Sequence, residues 1–342
     1  MRAVAFDVFC GELDLREVDD PTPAPHGAVI RVEATGLCRS DWHGWQGHDA
    51  DITTLPHVPG HELAGTVEAV GADVRGWRPG ARVTVPFVCA CGTCTACAAG
   101  QQQVCERQTQ PGFTHWGSFA EYVAIDHADV NLIGIPEEMP FAVAAGLGCR
   151  FATAFRAVAH VGRARPGEWV AVYGCGGVGL SAVMIAAAAG ARVVAVDVST
   201  QALHLAERAG ATHFVNGAHG DAADQVRELT RGGAHVSIDA LGSPATCAAS
   251  ILGLRRRGRH VQVGLLPEGA TLPMNRVIGY ELEVLGSHGM PAHAYPAMLE
   301  LIRAGTLHPD QLVTRNIDLT EAGKALSAMG TVPGITMIHP HR

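Results

Sequence analysis

The pattern of apolar and polar positions changes along this chain. Apolar and polar residues alternate in the first part, as over residues 29–34, 63–71 and 81–86, and prolines and glycines separate these runs. Alternation of this kind is typical of strands with one buried face. We therefore predict that residues 1–150 form a β-rich domain with few helices.

Continuous apolar runs alternate with helical stretches after residue 169. Residues 169–173 have the character of a strand buried on both faces, 180–189 is an alanine-rich helical stretch, and 192–197 is a second buried strand. Further strands are predicted at 212–215, 236–240, 259–263 and 283–285. This order of elements predicts an α/β fold with a doubly wound parallel sheet.

The chain has 342 residues, more than usually fold around a single hydrophobic core, so two domains are expected. We predict the β-rich domain over residues 1–150, the parallel-sheet domain over 151–286, and a return of residues 287–342 to the first domain. The arginine run 255–257 is interpreted as the solvated end of a helix, where cations favour the helix dipole.

Composition narrows the class of function. The chain is 47% hydrophobic and 17% charged, which is typical of a folded globular protein, and its formal net charge of −8 disfavours a nucleic-acid partner. Its first residues lack the order of a signal peptide, so we expect a cytoplasmic protein whose ten cysteines are reduced. The uncharged run 169–191 has four glycines within 174–179, which predicts a turn between two elements rather than a membrane span.

Four cysteines have the spacing of a tetrahedral zinc site. Three thiols recur at intervals of three residues and a fourth follows eight residues later: Cys91, Cys94, Cys97 and Cys105. Four thiolates leave no open position on zinc, so we predict a structural site that orders its loop. Disulfide pairing is the alternative, which a reducing compartment disfavours. Cys89 lies just outside the pattern and is interpreted as a bystander.

A second set of zinc ligands is spread along the chain. Cys38 and His61 are suited to zinc, and we predict Cys149 as the third ligand, which leaves one position for water or substrate. Each residue taken alone is also compatible with core packing, Cys38 as a small buried apolar side chain and His61 as a hydrogen-bonded core histidine.

A glycine-rich turn follows the first buried strand of the second domain. Its residues are Gly174, Gly176, Gly177, Val178 and Gly179. Glycines here allow a pyrophosphate to approach the helix N-terminus, and Asp197 is placed to accept hydrogen bonds from the adenosine ribose. A helix N-cap is the alternative role for Asp197, with Ser199 or Thr200 as competitors. Because a carboxylate repels a 2′-phosphate, we predict NAD rather than NADP.

These motifs together resemble one family over essentially the whole chain. They are residues 36–41, 59–62, the four-cysteine loop, 148–153 and 174–179. They resemble the zinc-dependent alcohol dehydrogenases of the medium-chain dehydrogenase/reductase superfamily. The resemblance implies a GroES-like catalytic domain, a Rossmann domain that binds NAD(H), and a catalytic zinc held by Cys38, His61 and Cys149.

The resemblance also implies roles for the residues that follow Cys38. Ser40 is implied to hydrogen-bond the zinc-bound alkoxide, and His43 to pass its proton to solvent through the cofactor ribose. Asp41 is implied to orient His61, as metal-bound imidazoles usually require. Arg39 resembles the residue that pairs with the cofactor pyrophosphate.

Other positions have implied roles around the metal, the cofactor and the substrate. Thr153 resembles a residue that packs near the nicotinamide, and Glu62 is expected to approach the metal from behind. A substrate pocket is predicted from aromatic residues: Trp42, Trp45, Phe87 and Trp116, with Phe113 and His115 as further candidates. Core packing is the more common role for any one of these aromatic residues.

The combined interpretation is a zinc-dependent enzyme that interconverts an alcohol and its aldehyde or ketone. Zinc as a Lewis acid predicts hydride transfer from a zinc-bound alkoxide to NAD, and the two ligand sets predict two zinc ions per subunit. The resemblance implies a homotetramer. We expect a small-molecule substrate and neither a nucleic-acid nor a membrane partner. Two alternatives are kept: a polyol, amino-alcohol or thiohemiacetal dehydrogenase with polar pocket residues such as His115, Arg150 and His288, and a non-enzymatic zinc-ribbon binding protein.

Overall fold

The structure of this chain, a computed structural model, describes residues 1–267, 269–330 and 334–342. In these ranges the strands are β1 (Arg2–Ala5), β2 (Asp14–Glu17), β3 (Ala28–Leu37), β4 (Glu62–Val70), β5 (Arg82–Thr84), β6 (Tyr122–Ile125), β7 (Ile133–Gly134), β8 (Trp169–Tyr173), β9 (Arg192–Asp197), β10 (His213–Asn216), β11 (Ala234–Asp239), β12 (Leu254–Gln262), β13 (Glu283–Gly286), β14 (Val313–Asp318) and β15 (Ile335–His339).

Short helices connect many of these strands. The α-helices are α1 (Arg39–Trp45), α2 (Thr95–Ala98), α3 (Ala128–Asn131), α4 (Phe141–Ala145), α5 (Ala152–Phe155), α6 (Gly177–Ala188), α7 (Thr200–Arg208), α8 (Ala222–Leu229), α9 (Pro244–Leu252), α10 (Met274–Tyr280), α11 (Tyr295–Arg303) and α12 (Leu319–Ser327). Helical turns of 3₁₀ type lie at Gln102–Val104, Ala292–Ala294 and Pro309–Leu312, and π-helical turns at Leu147–Phe151 and Arg156–Val161. Across the described ranges, no helix has both the length and the apolar character that a bilayer crossing requires.

The described chain divides into two compact units. The first consists of Met1–Ala152, Gly289–Ala297 and Val313–Arg342, and the second of Thr153–His288 and Met298–Leu312. This grouping differs from the predicted ranges because residues 298–312, assigned above to the C-terminal return, belong with the second unit. The 3₁₀ turn Pro309–Leu312 packs against α6, which explains the difference.

The first unit is built on a mostly antiparallel sheet with the strand order β14-β15-β3-β4-β5-β7, in which β6 also pairs with β3. Inward-facing residues of β3, such as Ile30 and Val32, pack with Leu63 of β4 in a fully buried cluster. The register places Gly36 of β3 opposite Glu62 of β4. Residues just beyond these two strand ends are therefore neighbours, and the predicted β-rich domain is confirmed.

The second unit contains a six-stranded parallel sheet with the order β10-β9-β8-β11-β12-β13. Strands β8 and β9 lie inside the sheet and are almost entirely buried, as their continuous apolar runs predict. The run 169–191 is a strand, a turn and helix α6 rather than one helix. The predicted doubly wound parallel sheet is confirmed.

The prediction for the arginine run 255–257 is wrong. Helix α9 ends at Leu252, and the three arginines lie in strand β12. Arg256 lies over the ring of Tyr280 with its guanidinium carbon 4.4 Å from the ring centroid. A run of exposed cations is compatible with a helix end or with a strand, so the charges alone did not distinguish the two.

Candidate active site

Four buried side chains in the first unit bring possible metal ligands together. One ligand atom each from Cys38, His61, Glu62 and Cys149 lies within 4.8 Å of the others. Cys38 directly follows β3 and His61 directly precedes β4, so the pairing of these strands brings the two residues side by side. Cys149, more than one hundred positions after Cys38 in the sequence, is brought to them by the fold.

Cys149 is held by the π-helical turn Leu147–Phe151. The hydroxyl group of the fully buried Tyr295 donates to the carbonyl oxygens of Leu147 and Gly148, at 3.3 and 3.2 Å. The backbone N–H of Phe87 donates to the same Gly148 carbonyl, at 3.0 Å. These contacts satisfy carbonyl groups that a short irregular turn leaves unpaired, so the position of the thiol is determined by its surroundings.

Asp41 determines the orientation of His61. Its carboxylate lies 2.7 Å from Nδ1 of His61 and also accepts from the backbone N–H groups of Cys38 and Gly60, at 2.9 and 3.1 Å. With the proton on Nδ1, the lone pair of Nε2 points away from Asp41. This Nε2 atom is buried and has no hydrogen-bond partner among the described residues. A metal ion would satisfy it, which is the arrangement expected of a metal-bound imidazole.

The electrostatics of the two thiols also fit a metal. A hydrogen bond from Cys149 holds the pKa of Cys38 well below its usual value, against the effect of burial and with help from His61. The same contact, together with burial, raises the pKa of Cys149 well above its usual value. Burial opposes a charge on His61, yet Asp41 and Cys38 raise its pKa well above the ordinary value, so a metal ion bound to Nε2 would displace a proton from it. A donor set of two thiols and one imidazole is typical of zinc, which binds the thiolate form.

Glu62 is occupied by a neighbouring cation. Both carboxylate oxygens accept hydrogen bonds from the guanidinium group of Arg150, Oε1 from Nε at 2.8 Å and Oε2 from Nη2, and Oε1 also accepts from the Arg150 N–H at 2.9 Å. Arg150 Nη1 donates to the carbonyl of Leu37 at 2.9 Å. A Cβ at Gly36 would overlap Oε2 of Glu62, so this pair requires a glycine on the adjacent strand.

The ion pair limits what Glu62 does at the metal. Burial raises the pKa of Glu62 and Arg150 opposes this effect. Both side chains are buried, so neither charge is compensated by water. The approach of Glu62 to the metal stays a prediction: Oε2 accepts a hydrogen bond from Arg150 and keeps a second lone pair, so a metal ion bound to this oxygen would compete with Arg150 for the carboxylate charge.

The aromatic candidates differ in what they contact. Phe113 and Phe87 flank the imidazole of His61, with ring centroids 5.3 and 6.1 Å from that of His61. Trp45 donates its indole N–H to the carbonyl of Gly11 at 2.9 Å, and Trp116 donates to that of Pro56 at 3.0 Å. These two indoles and Trp42 pack against the buried cluster that contains Phe119. A substrate-lining role for the tryptophans stays a prediction.

Helix α1 carries the predicted relay residues. Cys38 is its N-cap, and the N–H of Cys38 is accepted by Asp41 three residues later, which fixes where the helix begins. Ser40 is half-buried in the first turn, and His43 follows it by three residues on the same side of the helix. Arg39 is exposed and lies over the ring of Trp42, with its guanidinium carbon 5.0 Å from the ring centroid.

The four-cysteine loop forms a second candidate metal site in the first unit. All four sulfur atoms lie within 4.8 Å of one another, and the ten cysteines of the chain are free rather than disulfide-bonded. Backbone N–H groups of Thr93 and Arg107 point to the sulfurs of Cys91 and Cys105, at 3.5 and 3.4 Å. The Thr93 N–H, with help from Arg107, lowers the pKa of Cys91 to about 5. Donors of this kind stabilise thiolates, which fits a tetrahedral zinc.

The glycine-rich turn lies at the N-terminus of α6 in the second unit. Gly176 is the N-cap, and a Cβ at this position would meet no atom within 4 Å, so the space beside the helix N-terminus is open. A Cβ at Gly179 would lie 1.7 Å from the carbonyl oxygen of Gly174, so only glycine allows the turn to pack against the helix. Space, free N–H groups and the helix dipole together fit a pyrophosphate.

Asp197 ends strand β9 beside this turn. Its carboxylate accepts hydrogen bonds from the backbone N–H groups of Cys175 and Ser199, at 2.7 and 2.8 Å. The N-cap of α7 is Ser199, whose side chain accepts from Ala202. Asp197 therefore joins the turn to the strand end, where a ribose is expected, and the N-cap role belongs to Ser199. Thr153, also in the second unit, has a buried hydroxyl group with no partner among the described residues.

The chain was compared with known proteins. Residues 24–137 match the family described as an alcohol dehydrogenase GroES-like domain, and residues 177–304 match the zinc-binding dehydrogenase family. An alcohol dehydrogenase of Geobacillus stearothermophilus is 37% identical over 290 residues, 84% of each chain. The chain belongs to the zinc-dependent alcohol dehydrogenases of the medium-chain dehydrogenase/reductase superfamily.

Two further relatives match over nearly the full length of this dehydrogenase. An NAD-dependent alcohol dehydrogenase of Sulfurisphaera tokodaii is 31% identical over 336 residues, 95% of each chain. The solved structure of the alcohol dehydrogenase of Aeropyrum pernix has a TM-score of 0.90 and 32% identity, with 99% of this chain and 100% of that chain covered. The agreement extends across both units, so the resemblance drawn from the five motifs is confirmed.

The sequence did not predict the contacts of two residues near the site of this dehydrogenase, Arg150 and His48. Arg150 was named only as a polar pocket candidate, although it adjoins Cys149 just as Glu62 adjoins His61. Opposite charges next to two predicted ligands of one site could have indicated the ion pair. His48 was not singled out, and its ring lies against that of His43.

The buried pair should be important for stability. We expect Arg150→Met to lower the free energy of unfolding by about 3–5 kcal/mol, because it leaves Glu62 buried without its partner. The double variant Glu62→Gln with Arg150→Met should recover part of this loss. Urea denaturation followed by circular dichroism measures both effects.

An exposed ion pair provides the control for this experiment. Arg315 and Glu321 lie 3.4 Å apart, with about half of each side chain exposed. Arg315→Met should change stability by less than about 1 kcal/mol. Equal losses in Arg150→Met and Arg315→Met would show that the buried pair contributes no more than a surface pair.

Proposed function

We propose that this chain is a zinc-dependent NAD(H) oxidoreductase that interconverts an alcohol and its aldehyde or ketone. The observation that carries the proposal is the buried set of Cys38, His61 and Cys149, with an unpartnered Nε2 on His61 and with Glu62 bound to Arg150. Three ligands leave a coordination position for the alcohol oxygen. Zinc would supply Lewis-acid activation of that oxygen, and NAD would accept the hydride.

The residues of the chain would prepare the site for this chemistry. Asp41 holds the ring of His61 by Nδ1, so that Nε2 would be the atom that binds the metal. Phe87 and Phe113 place apolar rings beside the same imidazole and would keep water from it. Ser40 would take the proton that the alcohol loses, and His43 would carry it onward. The proton must leave because only the hydride is accepted by NAD.

The proposal is tested by an NAD-reduction screen. Primary aliphatic, benzylic, secondary and polyol alcohols are supplied to the purified protein with NAD, and zinc content is measured on the same sample. Alcohol-dependent NADH formation that tracks zinc content is the expected result. A fully zinc-loaded protein that reduces NAD with none of these classes would contradict the proposal. No observation favours the zinc-ribbon binding protein.

Assembly and location are also part of the proposal. We infer a homotetramer in the cytoplasm, which the resemblance and the reduced four-cysteine loop support. Light scattering at several protein concentrations measures the assembly, and a stable monomer would contradict it.

We expect two zinc ions per chain with different lability. The three-ligand site has an open position, whereas four thiolates enclose the other. Chelation should therefore abolish activity before it unfolds the protein. Cys94→Ser should reduce zinc content from two to one, and a single metal in the unmodified protein would exclude the second site.

Cofactor preference should depend on Asp197. Asp197→Gly combined with Val198→Arg should shift the ratio of kcat/KM toward NADP, because it removes a ribose acceptor and supplies a cation at a side chain that is 67% exposed. Asp197→Gly alone is the control and should weaken NAD without a gain for NADP. An unchanged ratio in the double variant would indicate that Asp197 does not face the ribose.

The two proposed relay residues should differ in importance. Ser40→Ala should lower kcat by about 10²-fold or more, because general acid–base groups contribute about 10²–10⁴-fold. His43→Gln should lose about 10²-fold or less, mainly below neutral pH, because water reaches its position. A loss of thermal stability in His43→Gln with an unchanged pH profile of kcat would instead indicate a packing role.

A further inference from the structure

His43 has an imidazole partner that the proposed relay does not yet use. The Nδ1 atoms of His43 and His48 lie 3.1 Å apart, at hydrogen-bond distance. Two neutral imidazoles make this contact only when one donates its Nδ1–H and the other accepts on a bare Nδ1. A single N–H···N hydrogen bond therefore joins the two rings, and a hydrogen bond of this kind can conduct a proton.

The end of helix α1 creates this contact. The N–H of Gly47 donates to the carbonyl of Gly44, and the N–H of His48 donates to that of His43, both at 3.0 Å. Gly47 has a φ of +77°, which glycine adopts readily. This is the Schellman motif, which brings the side chains at its first and last positions together. Those positions are normally apolar, whereas here both hold imidazoles.

The surroundings keep the two rings in place and differ in exposure. The ring of Trp42 lies edge-on to both, with centroid distances of 5.1 Å to His43 and 5.9 Å to His48. His43 is half-buried and His48 is exposed. The pair therefore runs from the helix that follows Cys38 outward to water.

The surroundings of His43 favour its neutral form. Burial is the main cause of the lowered pKa of His43, and His48 and Arg39 add to it, whereas Cys38 and Asp49 oppose it. A neutral ring has a lone pair with which to accept a proton. In the tautomer in which the Nδ1–H of His43 donates to His48, the bare Nε2 is the nitrogen that accepts.

We propose that His48 is the outer residue of the proton relay, through which His43 exchanges protons with solvent. This inference rests on the proposed function, in which His43 receives the proton that the alcohol loses. His43 gains a proton on Nε2 and gives its Nδ1 proton to Nδ1 of His48, which releases the proton on its own Nε2 to water. One proton enters and one leaves, both rings end neutral with tautomers exchanged, and ring-proton exchange with water restores them.

The first test replaces His48 by a ring without nitrogen. His48→Phe retains an aromatic contact with Trp42 but cannot carry a proton. We expect kcat for alcohol oxidation to fall about three- to tenfold below neutral pH, less than the roughly 10²-fold of a full general base, because water partly replaces the outer ring. The loss should disappear at high pH, where hydroxide accepts the proton. The double variant with His43→Gln should be no slower than His43→Gln alone, because the residues act in series.

Two further measurements separate a relay from a packing role. Added imidazole should restore kcat in His48→Ala, which leaves room for it, but not in His48→Phe. His204→Ala, which removes an exposed histidine of α7, should leave the pH profile unchanged. The ¹⁵N chemical shift of His43 Nδ1 should change in His48→Phe, because this nitrogen loses its hydrogen-bond partner. The zinc and NAD contents of the variant should equal those of the unmodified protein.

The results also separate this inference from the proposed function. If His43→Gln lowers kcat at low pH while His48→Phe retains the original profile, the outer step is wrong and the relay through His43 stands. If neither variant changes the profile, the relay itself fails. Absence of any alcohol-dependent NADH formation in the unmodified protein would overturn the proposed function.

Discussion

The buried carboxylate of Asp41 is the contact on which the candidate site depends. It accepts hydrogen bonds from Nδ1 of His61 and from the N–H groups of Cys38 and Gly60. These donors come from the end of β3 and the approach to β4, and Asp41 itself lies in the first turn of α1. A carboxylate that is 1% exposed requires such partners. One side chain therefore sets the ring orientation, the helix start and the distance between two ligands.

A second buried carboxylate, that of Glu62, has a different role at the same site. Asp41 acts on the metal site through an imidazole, whereas Glu62 is neutralised by Arg150. With one thiolate already favoured at Cys38, an uncompensated second acid would add repulsion in a region that water does not reach. The ion pair limits this repulsion beside the candidate metal ligands, two sulfurs and one nitrogen. Gly36 is required because a side chain there would occupy the position of the carboxylate.

Local motifs were well predicted because their chemistry is complete within a short segment. The spacing of the four cysteines allows one loop to surround an ion, and the structure brings these sulfurs together. The glycine turn was equally clear, because a strand, a turn and a helix in this order require small residues at the turn. The arginine run 255–257 was assigned to a helix end rather than to β12, because three consecutive charged residues show no alternation of apolar and polar positions that would distinguish a helix from a strand. The roles of the tryptophans could not be decided, since an indole packs in cores and lines pockets alike.

The sequence by itself determined the fold class, the family and the four-cysteine loop, because periodicity and motif spacing are properties of neighbouring residues. It also indicated Cys38, His61 and Cys149 by residue type and by the resemblance, but not their meeting. The tertiary structure decided which distant groups meet. The pairing of Glu62 with Arg150 depends on a π-helical turn packing beside β4, and no spacing rule predicts that contact. The contact of His43 with His48 depends on how helix α1 ends. In the sequence, Gly47 is the only sign of that ending. Side-chain partners across a fold follow from packing, and packing is fixed only when the whole chain is in place.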